Sequence, residues 1–290
     1  MNTVGFIGLG IMGGPMADNL LRAGFAVVGY DLAEDSLKRL EAAGGRVGAT
    51  VAETIAGADV VITMLPDSPH VEEVALGPGG ILENAGEGLL YIDMSTIRPD
   101  TSLRVAEAAA AKGVRVLDAP VSGGEKGAVD GTLSIMAGGE ADAFEAARQV
   151  FDVLGTTVVH VGPAGSGQTV KAANQLVVGG TYALIAEAIV LLEKSGVDAH
   201  RGLDVLAGGL AGSRILELKR TTMINRQFKP GFRIDLHHKD MGIALAAARE
   251  AGVALPVTGV IAQLIAAARA QGHGSLDHSA LLKVIERIND

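Results

Sequence analysis

Lys171 opens a long apolar stretch, with Asn174 three and Gln175 four residues further on. Side chains at that spacing share one face of a helix. No other lysine or arginine occurs before Lys194. A lone ammonium in such a run either extends out to water along its methylene stem or is retained for chemistry.

A second constellation lies at the start of the chain, where Gly8-Leu9-Gly10-Ile11-Met12-Gly13 follows the apolar run Thr3–Ile7 and precedes Met16–Ala23, closed by Gly24. In a chain with 40 glycines a bare G-x-G-x-x-G means little. A strand before it and a helix after it turn it into a dinucleotide phosphate site. The first glycine allows the tight turn, the second clears the backbone for the pyrophosphate, and the third lets helix and strand pack closely. The N–H groups and partial positive charge of the helix N-terminus face the phosphates.

The next apolar run, Ala26–Tyr30, ends at Asp31, 21 residues after Gly10, near the spacing of about 20 expected of a ribose-binding acid. Its carboxylate would bond the 2′-hydroxyl and repel a 2′-phosphate, which favours NAD over NADP. Leu32 follows, so no adjoining arginine neutralises a phosphate, although Arg39 or a more distant base could fold nearby. The plainer alternative for Asp31 is a strand-end turn residue.

Three further turns end strand-like runs. Met64-Leu65-Pro66 should border the cofactor, because open parallel sheets bind ligands beyond the carboxyl ends of their strands; otherwise it is a proline-stopped turn. In Asp93-Met94-Ser95-Thr96-Ile97-Arg98-Pro99, Ser95 or Thr96 could donate to the nicotinamide or ribose, or cap a helix with Pro99 in its first turn. In Asp118-Ala119-Pro120-Val121-Ser122-Gly123-Gly124, backbone N–H groups and the Ser122 hydroxyl could cradle a carboxylate, or Ser122 could simply cap the helical-looking Glu125–Val129.

These turns need a frame. Short apolar runs at Val4–Ile7, Ala26–Tyr30, Val60–Met64, Leu89–Asp93, Val114–Asp118, Leu133–Ala137 and Thr157–Val161, with a weak Arg46–Gly48, alternate with helical patterns such as Ser36–Ala43, Pro99–Lys112 and Ala141–Leu154. That alternation predicts a doubly wound, mostly parallel α/β sheet of the Rossmann type. After Gly162-Pro163-Ala164-Gly165 the strand punctuation ends. Ser166–Ser195 reads as one helix of about 45 Å at 1.5 Å per residue, and the rest is helical except Phe228–Leu236. The expected division is a dinucleotide-binding domain at 1–162 and an all-α substrate and oligomerisation domain at 163–290, entered through the long helix.

Composition removes whole classes of function. A net charge of −9 without a basic cluster argues against nucleic acid. The absence of cysteine excludes disulfides, thiolate-bound zinc and a thiol nucleophile. The seven histidines form no metal-ligand pattern: His237 and His238 are adjacent, and no H-E-x-x-H occurs. No metal is expected. Ala172–Leu192 has the length of a membrane span, but Asn174, Gln175, Tyr182 and Glu187 interrupt it, so burial in the protein or against a second subunit is expected. With no secretory leader pattern at the start, the expected location is cytoplasmic.

Together the segments resemble the β-hydroxyacid dehydrogenase family, which includes the 3-hydroxyisobutyrate dehydrogenases. The resemblance rests on G-F-I-G-L-G-I-M-G from Gly5, D-M-S-T-I-R-P from Asp93, D-A-P-V-S-G-G from Asp118, G-S-G-Q-T-V-K-A-A-N from Gly165 and K-D at Lys239, and covers essentially the whole chain. Within the family the chain is most similar to tartronate semialdehyde (2-hydroxy-3-oxopropionate) reductases, through G-G-L-A-G-S from Gly208 and F-K-P-G-F-R-I-D-L-H-H-K-D from Phe228.

The resemblance implies an oxidoreductase that reversibly reduces tartronate semialdehyde to glycerate with NAD, NADP remaining possible, or a 3-hydroxyisobutyrate dehydrogenase or succinic semialdehyde or glyoxylate reductase on the same scaffold, in each case acting on a small 3-oxo or 3-hydroxy acid in a homodimer or homotetramer. It implies Lys171 as the catalytic general acid, with Ser122, Gly123 and Gly124 on the substrate carboxylate and Asn174 orienting the substrate. Gly8, Gly10, Ile11, Met12, Gly13, Asp31, Met64, Leu65, Pro66, Thr96 and Lys239 would then hold the cofactor, Lys239 at its nicotinamide end. A non-catalytic dinucleotide sensor or scaffold would keep the glycine loop but need no such lysine.

Overall fold

A computed structural model describes residues 3–290. The chain divides into two compact units, one ending at Lys171 and one spanning Ala172–Asp290. That division falls inside a helix, nine residues beyond the boundary expected at 162.

The first unit is built on one sheet. Strands β1 (Thr3–Ile7), β2 (Ala26–Tyr30), β3 (Arg46–Val47), β4 (Val60–Thr63), β5 (Leu90–Asp93) and β6 (Arg115–Asp118) run parallel in the order β3-β2-β1-β4-β5-β6. The sheet continues past β6 with β7 (Val121–Ser122), β8 (Leu133–Gly139) and β9 (Gly155–Gly162). There β8 pairs antiparallel with β6 and β7, and parallel with β9. The doubly wound, mostly parallel sheet read from the sequence is present. The two-residue β7 is too short to carry a period, and the turn-like reading of Asp118–Gly124 did not anticipate it.

Helices α1 (Gly13–Arg22), α2 (Glu34–Ala42), α3 (Val51–Ile55), α4 (Ser68–Leu76), α5 (Ile81–Asn84), α6 (Pro99–Ala110), α7 (Gly124–Asp130) and α8 (Ala141–Leu154) fill the connections. Alternate strand residues feed opposite cores. Val4, Phe6, Val60, Ile62, Leu90 and Ile92 pack with Met16, Ala17 and Leu20 of α1 and with Phe144, Ala147 and Phe151 of α8. Ile7, Val61 and Tyr91 pack on the other face with Ile55, Val71, Ile81 and Val105. Burial on both faces is why these strands read as unbroken apolar runs, and each such side chain contributes about 1.5–3 kcal/mol.

Strand order reverses between β1 and β4, the switch point where open sheets of this kind bind ligands. The loops leaving those two strands are packed together: a Cβ on Gly8 would strike the Met64 carbonyl. Gly8 also has a φ of +94°, a left-handed conformation open to glycine at little cost.

Helix α9 (Ser166–Lys194) begins in the first unit and continues into the second, joined there by α10 (Ala199–Ala207), α11 (Arg214–Ile224), α12 (Ile234–Glu250), α13 (Pro256–Ala268) and α14 (Leu281–Ile288). By length and composition α9 could cross a membrane. In the second unit, however, Tyr182, Ile185, Ala186, Ile189 and Val190 lie in a core with Leu203, Leu216, Met241, Ile261, Ile265 and Leu282. Gly179 and Gly180 leave room for Ile261 to approach the helix backbone. Val177, Leu184 and Leu191, spaced seven residues apart, remain exposed.

The glycine loop divides into positions that pack and one that stays open. A Cβ on Gly13 would collide with the Gly8 carbonyl, whereas one on Gly10 would meet nothing within 4 Å. We expect Gly13→Ala to cost roughly 1–3 kcal/mol, the usual penalty of overpacking, and to lower the melting temperature by several degrees. Gly10→Ala should melt within about 2 °C of the parent, since surface changes of this kind are near neutral. Equal melting temperatures for the two variants in a thermal scan would contradict this division.

Candidate active site

The open space at Gly10 is where a dinucleotide pyrophosphate would reach the backbone, at the N-terminus of the ten-residue α1. The residues present therefore fit the cofactor. Both backbone polar groups of Leu9 in this loop are held, one by Asp31 just after β2 and one by Arg39 of α2. Its N–H donates to Asp31 Oδ2 at 2.6 Å, and its carbonyl accepts from the Arg39 guanidinium. The other Asp31 oxygen accepts the Ala33 N–H at 2.7 Å. Asp31 is thus a turn residue and a loop anchor at once, and Arg39 is the base that the sequence left free to fold nearby. Ile11 is 55% exposed; Met12 is half-buried.

Beneath the ends of β4 and β5 runs a buried polar chain. Thr63 Oγ1 donates to Asp93 Oδ1 at 2.7 Å and, its one proton so used, accepts from the Tyr91 hydroxyl at 2.9 Å. Asp93 Oδ1 also accepts the Ser95 N–H at 3.1 Å, and Ser95 Oγ accepts the Leu65 N–H at 2.8 Å. The Met64-Leu65-Pro66 loop is in this way tied to the loop carrying Thr96. Burial, reinforced by the Asp93 charge, pushes the Tyr91 hydroxyl well above its ordinary range, so it stays neutral and donates to Thr63. Ser95 is fully buried. The helix-capping expectation fails here: Arg98 occupies the N-cap of α6, with no side-chain cap. Thr96 is half-buried.

Lys171 does not extend to water. It is 6% exposed, and its Nζ donates to the Val121 carbonyl at 2.7 Å. Val121 directly precedes Ser122, Gly123 and Gly124, so the ammonium is held beside that turn. Gly123 and Gly124 have φ of +143° and +62°, values that a larger residue would adopt only under strain. Gly123, not Ser122, is the N-cap of α7, which leaves the Ser122 hydroxyl out of the capping role.

Two residues outside the expected site set hold the start of α9. Asp118, at the end of β6, accepts the N–H groups of Gly165 at 2.7 Å and Gln168 at 2.9 Å, one on each oxygen. Burial pushes its carboxyl up to about 6 against the lowering effect of those two donors. Gln168, wholly buried, donates from Nε2 to the Ser95 carbonyl at 2.8 Å and accepts the Ile97 N–H on Oε1 at 3.1 Å. Both residues stand inside motifs quoted from the sequence. Their roles had no local signal, because their partners lie 47 to 73 residues away.

In the second unit Asn174 Nδ2 donates to Gln175 Oε1 at 2.7 Å, and Gln175 Nε2 donates to Asp240 Oδ2. Asp240 Oδ1 lies 3.2 Å from Lys239 Nζ, so the buried Gln175 and Asp240 link the half-buried Asn174 to the half-buried Lys239. His237, one turn before Asp240 on α12, contacts the Gln175 carbonyl through Nε2 at 3.1 Å and His278 Nδ1 through its own Nδ1 at 3.1 Å. A backbone carbonyl can only accept, so His237 carries a proton on Nε2; in its neutral form its Nδ1 then accepts from His278. Among the described residues no group of three or more potential metal ligands occurs.

Comparison with known proteins agrees with this architecture. Residues 3–162 match the family model described as the NAD binding domain of 6-phosphogluconate dehydrogenase, and residues 165–285 match that described as NAD-binding of NADP-dependent 3-hydroxyisobutyrate dehydrogenase. The chain is 43% identical over 285 residues to a 2-hydroxy-3-oxopropionate reductase of Escherichia coli, covering 98% of this chain and 97% of that protein. It is 41% identical over 286 residues to a 2-(hydroxymethyl)glutarate dehydrogenase of Eubacterium barkeri, covering 98% and 95%. The solved 3-hydroxyisobutyrate dehydrogenase of Mycobacterium tuberculosis with L-serine superposes with a TM-score of 0.90 at 37% identity, over 98% of this chain and 99% of that one. With the glycine loop at the switch point and both domain families matched along its length, the chain belongs to the 3-hydroxyisobutyrate dehydrogenase-like β-hydroxyacid dehydrogenases, NAD(P)-dependent oxidoreductases of hydroxy acids.

Proposed function

We propose that the chain catalyses the reversible, NAD(H)-linked reduction of tartronate semialdehyde (2-hydroxy-3-oxopropanoate) to glycerate, with Lys171 as the general acid. The observation that carries this reading is the buried Lys171 ammonium on the Val121 carbonyl, beside the Ser122-Gly123-Gly124 turn. Likeness to the E. coli reductase supports the substrate. Likeness to the M. tuberculosis enzyme supports 3-hydroxyisobutyrate as the second reading.

When bound, the nicotinamide cofactor supplies or accepts the hydride. Lys171 stabilises the negative charge that develops on the substrate carbonyl oxygen and donates a proton from Nζ to it. In the oxidation direction its neutral amine takes the hydroxyl proton. Ser122 and the backbone N–H groups of Gly123 and Gly124 hold the substrate carboxylate, and Asn174 orients the substrate. Gly8, Gly10, Ile11, Met12 and Gly13 hold the pyrophosphate side of the cofactor. Asp31 takes the ribose, while Met64, Leu65, Pro66, Thr96 and Lys239 border the remainder.

Replacing Lys171 by Ala should lower kcat by about 10²- to 10⁴-fold, the range general acid–base catalysis supplies, while the Kd for NADH changes by less than about threefold. Retained turnover in stopped-flow assays would remove Lys171 from the mechanism. Wild-type protein that binds NADH yet reduces no 3-oxo acid would favour a sensor or scaffold.

A panel of 3-oxo and 3-hydroxy acids with both dinucleotides should give the highest kcat/KM for tartronate semialdehyde with NADH. Asp31→Asn should narrow the ratio of NADH to NADPH efficiencies. Preference for 3-hydroxyisobutyrate would select the second reading, and an unchanged ratio would take ribose selection away from Asp31. The exposed Val177, Leu184 and Leu191 stripe supports a homo-oligomer built on the second unit. Sedimentation equilibrium at micromolar protein should give at least a dimer mass; a monomer would refute it.

A further inference from the structure

We propose that Asp118 and Gln168 are positioning residues that clamp the first turn of α9 and thereby hold Lys171 Nζ on the Val121 carbonyl. The inference rests on Lys171 being the proton donor. A lysine ammonium ends a flexible four-carbon stem, so its location depends on how firmly its own helix is fixed.

Asp118 fixes the helix from below. The first N–H groups of a helix have no partners within it, and Asp118 takes two of those in this turn, from Gly165 and Gln168. The approach is close enough to exclude side chains nearby. A Cβ on Gly138 would stand 2.5 Å from Asp118 Oδ1, and one on Gly167 would stand 2.8 Å from Oδ2. Asp118 and Val121 belong to one short segment, so the groups that receive the α9 backbone and the Lys171 ammonium move together.

Gln168 fixes the helix from the side. Its amide accepts from Ile97 and donates to Ser95, a pairing that fits an amide and neither a carboxylate nor an apolar side chain. It lies three residues before Lys171, on the same helical face. The Ser95–Ile97 loop, the Val121–Ser122 strand and Lys171 are thus held in one arrangement by two side chains that are themselves buried.

The test uses the full-length protein and the variants Gln168→Met, Asp118→Asn and Lys171→Ala. Gln168→Met keeps the volume and removes both amide bonds. It should lower kcat about tenfold or more, leave the NADH Kd from fluorescence titration within about threefold, and cause no further loss when combined with Lys171→Ala, because groups acting as one unit are non-additive. Asp118→Asn keeps one acceptor and should show the same split of kcat from Kd; it decides the matter if Gln168→Met does not fold. A kcat within twofold of wild type overturns the proposal. So does a loss in NADH affinity equal to the loss in kcat, or the same factor lost in the Lys171→Ala background. Full turnover by Lys171→Ala overturns the assignment of Lys171 and the clamp with it, whereas an inactive Lys171→Ala beside a fully active Gln168→Met overturns the clamp alone.

Discussion

The Asp118 carboxylate and the first turn of α9 complete each other. A buried acid without hydrogen-bond donors is costly, and a buried helix start without acceptors is equally so. Here each supplies what the other lacks, one N–H to each carboxylate oxygen. The balance is close enough that burial still lifts the carboxyl to about 6. Glycine at 138 and 167 keeps this approach open, since a Cβ at 138 would meet Asp118 Oδ1 and one at 167 would meet the Met136 and Asp118 carbonyl oxygens as well as Asp118 Oδ2. The position of Lys171 follows from it in turn.

The same economy extends beneath the loops that leave β4 and β5. Thr63, Asp93, Ser95, Leu65 and Gln168 hand hydrogen bonds from β4 to β5 to α9. Loops that leave parallel strands have only their ends fixed by the sheet. A buried polar chain fixes their middles, and breaking one link would leave a desolvated partner at about 1–3 kcal/mol. Rigidity of this kind holds a flexible lysine and a glycine-rich turn in one arrangement, which lowers the ordering cost of any ligand that binds there.

At the other end of the sheet, Asp31 and Arg39 show why a single residue is a poor guide to cofactor choice. The acid sits at the expected spacing, yet both its oxygens also serve the backbone. A cation eight positions later returns to the same loop. The second unit uses an analogous device, with the buried Gln175 and Asp240 joining α9 to α12.

The doubly wound sheet, the long helix and the glycine loop were legible in the sequence because each is a local pattern, read over a few neighbouring residues. Strand β4 stops at Thr63, one residue short of the apolar run that ends at Met64, and β7 leaves no pattern, because boundaries and two-residue strands carry little period. Lys171 was recognisable as unusual from its lone charge in an apolar run. Whether it faced water was not recognisable, and the fold settled that by bringing Val121 to it. Asp118, Gln168 and Asp240 stand inside motifs visible in the sequence, and Gln175 stands on the Lys171 face, each without a discernible task. Their partners are distant in the chain and adjacent only after folding. The sequence by itself determined which elements form and which residues could do chemistry, since periodicity and residue type are local properties. Only the tertiary structure decided which polar groups meet, because a hydrogen bond across the fold leaves no trace in the spacing of the residues that make it.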